Sequence, residues 1–238
     1  LLYIGCDFYN LNKDGDRNKE VFINSMTGMA LNPPKVLVDP IWQNSELNDY
    51  GFYSEWKQII VKKMSFVGGA RVDFINSKID KPSSQFVDEY GNLKSKSDLT
   101  YNLTASIKYQ LNNNTSLQLA AGRGTRSPNL TERYINHLNI GQDQYEYFGN
   151  PHLKPEVNNQ MDFTLTKKFG DINVHANVFY SYLKNYISAA EDTTLPRLFM
   201  PSMMPKYTKR FLNIEKASQA GFEIGLVGNI FSFIMLSV

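Results

Sequence analysis

Methionine clusters are the feature of this sequence whose residue type and spacing best fit metal chemistry. Met26 and Met29 lie in one polar stretch with two residues between them, and Met200, Met203 and Met204 lie together in a second stretch. Soft thioether ligands favour Cu(I), whereas carboxylates and water favour harder ions. The two clusters together predict a soft-metal ligand site. Methionine also fills gaps in loop clusters because its side chain is flexible, and that interpretation stays open.

The other reactive residues favour binding over catalysis. His137 joins the predicted metal ligands Met200, Met203 and Met204 if its own polar stretch folds inward, but no histidine pair has H-x-x-x-H spacing. Cys6 is the single cysteine, which excludes an internal disulfide and a two-thiol metal site. The sequence contains no Ser/His/Asp arrangement, glycine-rich phosphate loop or CxxC motif. We therefore expect neither an enzyme nor a bound cofactor.

Composition excludes some partners and leaves a membrane location open. The net charge is +2, and no basic run is interleaved with aromatic residues, so nucleic acid is not an expected partner. No apolar run reaches the roughly 20 residues that a membrane-spanning helix needs. The mean hydropathy of −0.37 does not exclude a membrane, because barrel strands alternate polar and apolar residues. The 14 tyrosines suit both strands and a membrane–water interface.

Strict alternation of apolar and polar residues predicts the elements that position these side chains. Asp98–Leu111 alternates without error, which fits a strand with one apolar face and does not fit a helical period of about 3.6. The same pattern recurs and predicts about eight long strands. Their approximate bounds are Leu1–Asn10, Leu47–Ile60, Met64–Asn76, Asp98–Leu111, Thr115–Arg123, Gln160–Phe169, Ile172–Tyr186 and Thr208–Val227.

The connections between these strands alternate between long and short. Tight turns are predicted at Lys62–Lys63, Asn112–Asn114 and Gly170–Asp171, and the remaining connections are long and polar. Antiparallel neighbours joined in this way place every long loop at one rim of the sheet, as in outer-membrane barrels. Both methionine clusters therefore belong to the same predicted rim.

The predicted fold class is all-β, an antiparallel up-and-down transmembrane β-barrel of which this chain forms an incomplete portion. A soluble sandwich can also alternate its connections, but its strands typically contain about 5–6 residues. The strands predicted here are longer, and their polar face is almost free of apolar residues. The barrel is therefore the preferred interpretation.

Both ends of the sequence are expected to be cut. Leu1 already lies in an alternating strand, with no signal-peptide pattern before it. Ile230–Val238 breaks the alternation and lacks a terminal aromatic residue. We expect residues 1–238 to form one partial barrel domain, in which residues 229–238 are a truncated or out-of-frame end.

Two motifs carry a family resemblance. RSPNLTERY (Arg126–Tyr134) and GNPHLKPE (Gly149–Glu156) precede an alternating strand, and together they resemble the barrel domain of TonB-dependent outer-membrane receptors. Asp49–Trp56 and Asn213–Leu226 are similar to further segments of that family. Proline restricts the backbone, and arginine–carboxylate pairs form charge-assisted hydrogen bonds. We therefore expect an architectural role for Arg126, Pro128, Glu132, Gly149, Asn150, Pro151, Leu153, Pro155 and Glu156.

The resemblance implies an N-terminal plug domain inside a barrel of about 22 strands. It covers the chain to about Gly228 and includes no plug. The expected function is therefore that of a fragment of a receptor in a Gram-negative outer membrane, which takes up a metal ion, metal chelate or siderophore. The implied partners are outer-membrane lipid, the plug of the parent chain, the TonB complex through that plug, and the ligand. Similarity to the copper-receptor branch favours copper among these ligands.

Other functions remain open at this point. A passive outer-membrane channel lacks a plug, and a small structural or adhesive barrel needs only eight strands. A barrel enzyme, such as a phospholipase or protease, requires a nucleophile and base that the sequence does not offer.

Overall fold

The computed structural model describes residues 1–24, 26–93, 95–198, 204–231 and 234–237, with side chains as far as residue 228. The elements in these ranges are β1 (Leu2–Lys13), β2 (Asp16–Ile23), β3 (Ala30–Pro40), β4 (Ser45–Val61), β5 (Met64–Ile79), α1 (Ser84–Tyr90), β6 (Ser95–Asn112), β7 (Thr115–Arg126), α2 (Leu130–Tyr134), β8 (Tyr147–Phe148), β9 (Glu156–Phe169), β10 (Ile172–Pro196), β11 (Tyr207–Phe231) and β12 (Ile234–Ser237). Within these ranges, no helix has the length and apolar character needed to cross a membrane.

The long strands form one antiparallel sheet in chain order. Its order is β1-β4-β5-β6-β7-β9-β10-β11-β12, and β8 pairs with β11 in parallel at one end. Hairpin β2–β3 forms a separate two-stranded sheet. In the described part of the chain, β1 and β12 are the edges of the large sheet, so the sheet is open. This meander of eight long strands confirms the predicted fold class.

Tight turns lie at one end of the sheet and long connections at the other. Lys62–Lys63 joins β4 to β5, Asn113–Asn114 joins β6 to β7, and Gly170–Asp171 joins β9 to β10. Gly170 has φ of +57°, a conformation that two-residue hairpin turns require and that glycine adopts at little cost. The predicted alternation of short and long connections is therefore confirmed. We name the two ends the tight-turn rim and the long-loop rim.

The two faces of the sheet differ in chemistry. On β6, Leu99, Leu103 and Ile107 project to one face and are exposed, and this side of the sheet is called the outward face. The opposite, inner face of β6 carries polar residues such as Thr100 and Asn102. Register keeps each face continuous between strands, because Ile107 pairs with Leu119 and Leu119 pairs with Phe163. One wall therefore presents an apolar surface outward and a polar surface inward.

A buried core fills the inner face near the long-loop rim, and we call it the rim core. It forms because the long connections fold back over the ends of the strands, where apolar side chains replace the polar row. The rim core consists of two clusters of buried side chains. The first contains Leu47, Ile75, Ile79, Phe86, Leu130, Tyr134, Phe148 and Leu195. The second contains Ile135, Tyr147, Leu153, Ile187 and Phe211.

Two of the connections predicted to be loops contain regular structure. The stretch after the first strand forms hairpin β2–β3, in which Pro33 and Pro34 fall at a register shift and so remove no ladder hydrogen bond. The region from Ser77 to Ser97 contains α1, which is capped by the Ser83 hydroxyl accepting from the Phe86 amide at 3.2 Å. The prediction of loops without regular structure in these two stretches was wrong.

The last hairpin of the sheet is longer than predicted. β10 continues from Tyr186 to Pro196 and remains paired with β11, although this segment was predicted to be a loop. Alternation fades there because the inner row contacts the rim core, where Ile187 and Leu195 are buried. Where inner-face side chains pack against a loop instead of facing water, they can be apolar, and the alternation of polar and apolar residues is lost.

A charged substitution distinguishes the two faces. Leu119 lies on the outward face near the middle of β7, and its neighbour Gln118 points to the inner face. In phospholipid vesicles we expect Leu119→Arg to lower the free energy of unfolding by about 2–4 kcal/mol, because the cation then faces hydrocarbon. Gln118→Arg is the matched control, with a loss below about 1 kcal/mol. Urea unfolding of the full-length protein measures both, and equal losses would contradict the assignment of faces.

Candidate functional site

The RSPNLTERY motif folds into a capped helical turn at the long-loop rim. The Asn129 side chain accepts from the Glu132 amide at 2.9 Å, and the Glu132 carboxylate accepts from the Asn129 amide at 2.8 Å. This reciprocal pair is a capping box, which satisfies two backbone donors at the start of α2. Arg126 donates to both Glu132 oxygens at 2.8 and 3.0 Å and to Glu156 at 3.4 Å. These are the charge-assisted hydrogen bonds expected from the sequence.

Arg133 connects this helical turn to the large sheet. Its side chain is fully buried, donates to Ser77 Oγ at 2.6 Å and forms an ion pair with Asp98. Ser77 lies on β5 and Asp98 on β6, so one guanidinium ties the long connection to two neighbouring strands. Asp98 also accepts from the Ser127 hydroxyl at 2.6 Å. Because the charges are buried together and hydrogen-bonded, the pair holds a defined geometry.

Aromatic side chains close the space around α2. The Phe86 ring lies 6.3 Å from Tyr134 and 5.9 Å from Phe148, measured between ring centroids. The Tyr134 hydroxyl lies 3.1 Å from Ser77 Oγ, and Tyr90 donates to the Gly149 carbonyl at 2.8 Å. Burial raises the pKa of the Tyr90 and Tyr134 phenols, so both stay neutral at physiological pH. The rings therefore serve as packed donors and acceptors.

The GNPHLKPE motif lies directly against α2. A Cβ atom on Gly149 would collide with the backbone carbonyl of Arg133, so only glycine fits there without a backbone shift. The next residue, Asn150, donates two hydrogen bonds. Its amide donates to the Glu132 carbonyl at 2.9 Å, and its side chain donates to the Phe211 carbonyl at 3.0 Å. The two motifs thus connect α2 to β11. An architectural role stays a prediction, and these contacts support it.

His137 is buried in the structure. Its Nδ1 atom lies 3.3 Å from Glu146 Oε2 and 3.4 Å from Thr208 Oγ1, and its ring centroid lies 4.9 Å from that of Phe148. Its Nε2 atom is buried without a hydrogen-bond partner among the described residues. Glu146 also accepts from the Leu198 amide at 3.0 Å. Metal binding by His137 stays a prediction, and it requires the surrounding loops to open.

The predicted methionine ligands lie in two loops of the same rim. Met26 and Met29 lie at the tip of hairpin β2–β3 with 93% and 71% of their surface exposed, and Met204 lies in the β10–β11 connection with 67% exposed. Met200 and Met203 lie outside the described residues. Within the described ranges, no group of three or more His, Cys, Asp or Glu side chains is arranged to hold a metal ion. The methionine site therefore stays a prediction.

Both methionine-bearing loops are attached to the long connection between β7 and β9. Arg17, near the base of hairpin β2–β3, donates to the His137 carbonyl at 2.7 Å, and the Asn136 side chain donates to the Pro40 carbonyl at 3.0 Å. In the other loop, the Arg197 guanidinium donates to the carbonyls of Gln144 at 3.1 Å and Met204 at 3.2 Å. The long connection thus supports both loops.

Sequence reasoning missed the central residues of this arrangement. Arg133, Asp98 and Ser77 attach the loop to the wall, but only the more exposed Arg126 was singled out beforehand. One usable signal was present, since Asn129 and Glu132 have the spacing of a capping box and mark the start of a helix. The partners of Arg133 carry no such signal, because they lie on strands distant in sequence.

The fold and the rim define a class of protein. An antiparallel wall with an apolar outward face, a polar inner face and long loops folded over one rim has the architecture of an up-and-down transmembrane β-barrel. Comparison with known families matches residues 2–237 to the family described as TonB dependent receptor-like, beta-barrel. The chain belongs to the TonB-dependent receptor β-barrel family.

Solved structures share this fold. The chain is similar to a copper transporter, OprC, with a TM-score of 0.68 and 16% identity over 97% of this chain and 34% of that one. It is also similar to the haemophore receptor HasR of Serratia marcescens, with a TM-score of 0.63 and 14% identity over 96% of this chain and 40% of that one. For the ferric-catecholate import receptor Fiu of E. coli K12 the TM-score is 0.61, with 14% identity over 97% of this chain and 33% of that one.

These comparisons also show how much of a receptor is present. The chain spans about a third to two fifths of the length of these three proteins. Comparison with curated protein sequences gives no match.

Removing the buried arginine tests the attachment of the rim. We expect Arg133→Met to lower the free energy of unfolding by about 3–5 kcal/mol, because Asp98 is then buried without its partner. Arg126→Met is the matched control, since the Arg126 side chain is 45% exposed. Its loss should stay below about 1 kcal/mol, as for other exposed ion pairs. Urea unfolding of the full-length protein separates the two variants, and similar losses would contradict the proposed role of Arg133.

Acid should loosen the loop around Asp143. Burial raises the pKa of Asp143, but hydrogen bonds from Lys209, the Tyr145 amide and the Tyr147 hydroxyl outweigh it and leave the pKa below its ordinary value of 3.8. A carboxylate with a lowered pKa stabilises the fold above its ordinary pKa, and this contribution is lost as the pH falls through the lowered value. Hydrogen exchange of the Tyr145 amide, corrected for intrinsic rates, should therefore accelerate at acid pH.

Asp143→Asn provides the comparison for this measurement. The variant cannot titrate at that position, so the corrected exchange rate of the Tyr145 amide should lose most of its dependence on acid pH. An unchanged acid response in the variant would assign the effect to another group.

Proposed function

We propose that this chain is part of a TonB-dependent transporter of a Gram-negative outer membrane, which takes up a scarce ligand. The observation that carries the proposal is the family match across residues 2–237. The partners in this proposal are outer-membrane lipid, the plug domain of the full-length protein, and the TonB complex acting through the plug.

The architecture supports such a role in physical terms. The outward face offers exposed apolar side chains to lipid, and the polar inner face suits contact with a hydrated plug. The long loops are fixed at their bases by the rim core, and their tips are exposed. Capture and translocation of a ligand need no covalent step, so no catalytic residue is required. Energy enters through the partner complex and the plug.

Copper, as Cu(I), is the ligand we propose. Met26, Met29 and Met204 expose soft thioether groups on two loops that share one support. Among the similar structures, OprC is a copper transporter, although 16% identity supports likeness of fold alone. HasR is a haemophore receptor and Fiu imports ferric catecholates, so haem and siderophores are the competing ligands. The exposed thioethers favour copper over these.

Titration of the full-length protein with Cu(I) tests the ligand. We expect the triple substitution Met200→Leu, Met203→Leu and Met204→Leu to weaken Cu(I) binding at least about tenfold, equivalent to about 1.4 kcal/mol. Met161→Leu is the matched control, because Met161 is exposed on the outward face away from the long loops. Its affinity should equal that of the unsubstituted protein.

Transport and ligand identity are tested separately. Unchanged Cu(I) affinity in the triple variant would reject copper, and uptake of haem or a ferric siderophore would then identify another cargo. Uptake that continues without TonB, together with a steady single-channel conductance of the full-length protein, would reject the transporter and favour a passive channel.

A further inference from the structure

Four lysines surround a cleft at the tight-turn rim, far from the predicted methionine site. Lys62 and Lys63 form the β4–β5 turn, and Lys167 and Lys168 lie at the end of β9. The turn between β6 and β7 lies between the two lysine pairs in the order of the sheet. The cleft has a volume of about 930 Å³ and is also lined by asparagines of that middle turn. We call this feature the lysine cleft.

Backbone contacts hold the lysine cleft together. The Gln110 amide donates to the Lys63 carbonyl at 2.7 Å, and the Lys168 amide donates to the Asn114 carbonyl at 2.7 Å. The three turns are thus joined to their neighbours through the sheet ladder. The four lysines are consequently placed by main-chain pairing and do not depend on flexible loops.

The positive charge of the cleft is not neutralised within the protein. In the described part of the chain, none of Lys62, Lys63, Lys167 and Lys168 forms an ion pair with a carboxylate. Lys63 Nζ donates to the Leu111 carbonyl at 3.4 Å, and Lys167 Nζ lies 4.6 Å from the centroid of the Phe169 ring. These contacts leave the ammonium groups able to bind an anion. Asp171 in the adjacent turn is the acidic residue nearest to them in sequence.

The register places this charge near the edge of the apolar belt. Lys167 follows Phe163 and Leu165 in the outward row of β9, and it pairs with Thr115 at the start of β7. Eight residues along β9, Asn159 pairs with Arg123, whose guanidinium lies 3.6 Å from the Tyr101 ring centroid. The outward residues between these levels on β7 and β9 are uncharged, namely Leu117, Leu119, Ala121, Met161, Phe163 and Leu165.

The height of this uncharged belt is close to that of the apolar part of a bilayer. Eight residues of a strand span roughly 26 Å along the strand, and a tilt of about 35–45° reduces this to a height of about 19–22 Å. The apolar band of outer-membrane barrels is about 25 Å tall. Lys167 therefore lies close to one membrane–water interface and Arg123 close to the other. An ammonium group at that level can reach the headgroup region while its aliphatic stem stays among apolar atoms.

We propose that the lysine cleft binds the phosphate group of an anionic phospholipid in the leaflet at the tight-turn rim. Phosphate is the complementary charge for this group of lysines. Lys168 follows Lys167 on β9 and belongs to the inner row, so its side chain has to reach the phosphate around the end of the strand. Outward apolar residues lie on both sides of Lys167, because Leu165 precedes it and Phe169, which is 52% exposed, follows it in the same row. An acyl chain attached to the phosphate can therefore lie along the belt. This continuity favours a lipid over free phosphate. The inference rests on the proposed membrane location, and it adds a lipid partner that the transport proposal does not specify.

Native mass spectrometry of the full-length protein in detergent tests this site. The probes are phosphatidylglycerol, which is anionic, and phosphatidylcholine of the same chain length, which is zwitterionic. We expect selective binding of phosphatidylglycerol, weakened at least about tenfold when all four lysines are changed to glutamine. Binding should also weaken with added salt, because the contacts are exposed and electrostatic.

Two further variants control for charge and folding. Lys35→Gln, Lys81→Gln, Lys154→Gln and Lys206→Gln make the same change in net charge on exposed residues at the other end of the sheet, and this variant should bind phosphatidylglycerol normally. Arginine at the four positions of the cleft keeps the charge and should retain binding. If the glutamine variant fails to fold, the arginine variant together with the salt titration still measures the electrostatic contribution.

Each outcome decides the proposal. Equal binding of both lipids, unchanged binding in the glutamine variant, or loss in the arginine variant would overturn it. Inorganic phosphate that binds alone, with the same dependence on the lysines, and displaces the lipid would also overturn the lipid assignment. Ligand uptake by the glutamine variant in cells is measured separately. Normal uptake with lost lipid selectivity supports the lysine cleft and leaves the transport proposal intact.

Discussion

Backbone hydrogen bonding between adjacent antiparallel strands is the constraint on which the rest of this structure depends. Hydrocarbon offers no partner to an amide or a carbonyl, so each strand in a membrane must pair with a neighbour on both sides. The meander from β1 to β12 meets this demand for every strand except the two edges in the described part of the chain. Once pairing is fixed, side chains alternate between lipid and the interior.

That constraint also explains why the long-loop rim contains a core. Where the strands leave the membrane, apolar inner-face residues such as Leu47 and Ile75 become available to pack against the connections. The buried ion pair of Arg133 and Asp98 also fixes the orientation of α2 relative to the sheet. A guanidinium donates in fixed directions within one plane, so few positions satisfy its hydrogen bonds to the surrounding oxygen atoms. The loops therefore have bases that are fixed by packing and tips that are exposed.

Long strands and tight turns were predictable from sequence because their causes are local. A strand between lipid and water must alternate, and a two-residue turn needs residues such as Asn or Gly at fixed positions. Hairpin β2–β3 escaped prediction because both its faces are largely solvent-exposed and Pro33 and Pro34 argue against a strand. The extension of β10 was not predicted because Ile187 and Leu195 pack against loop residues that are distant in sequence.

The candidate site was predictable in part for the same reason. The charge-assisted contacts of Arg126 with Glu132 and Glu156 follow from residue types within the two recognised motifs. By contrast, burial of His137 depends on Phe148, Glu146 and Thr208, whose proximity only the folded loops create. Side chains placed by long-range packing do not leave a periodic signal.

Arg197 joins the end of β10 to the segment that leads into β11. Its amide donates to the Lys206 carbonyl at 2.8 Å and its guanidinium donates to the Met204 carbonyl at 3.2 Å. Both acceptors are main-chain carbonyl groups, which every residue type supplies. The side chains at positions 204 and 206 can therefore be exchanged during evolution while these two hydrogen bonds persist.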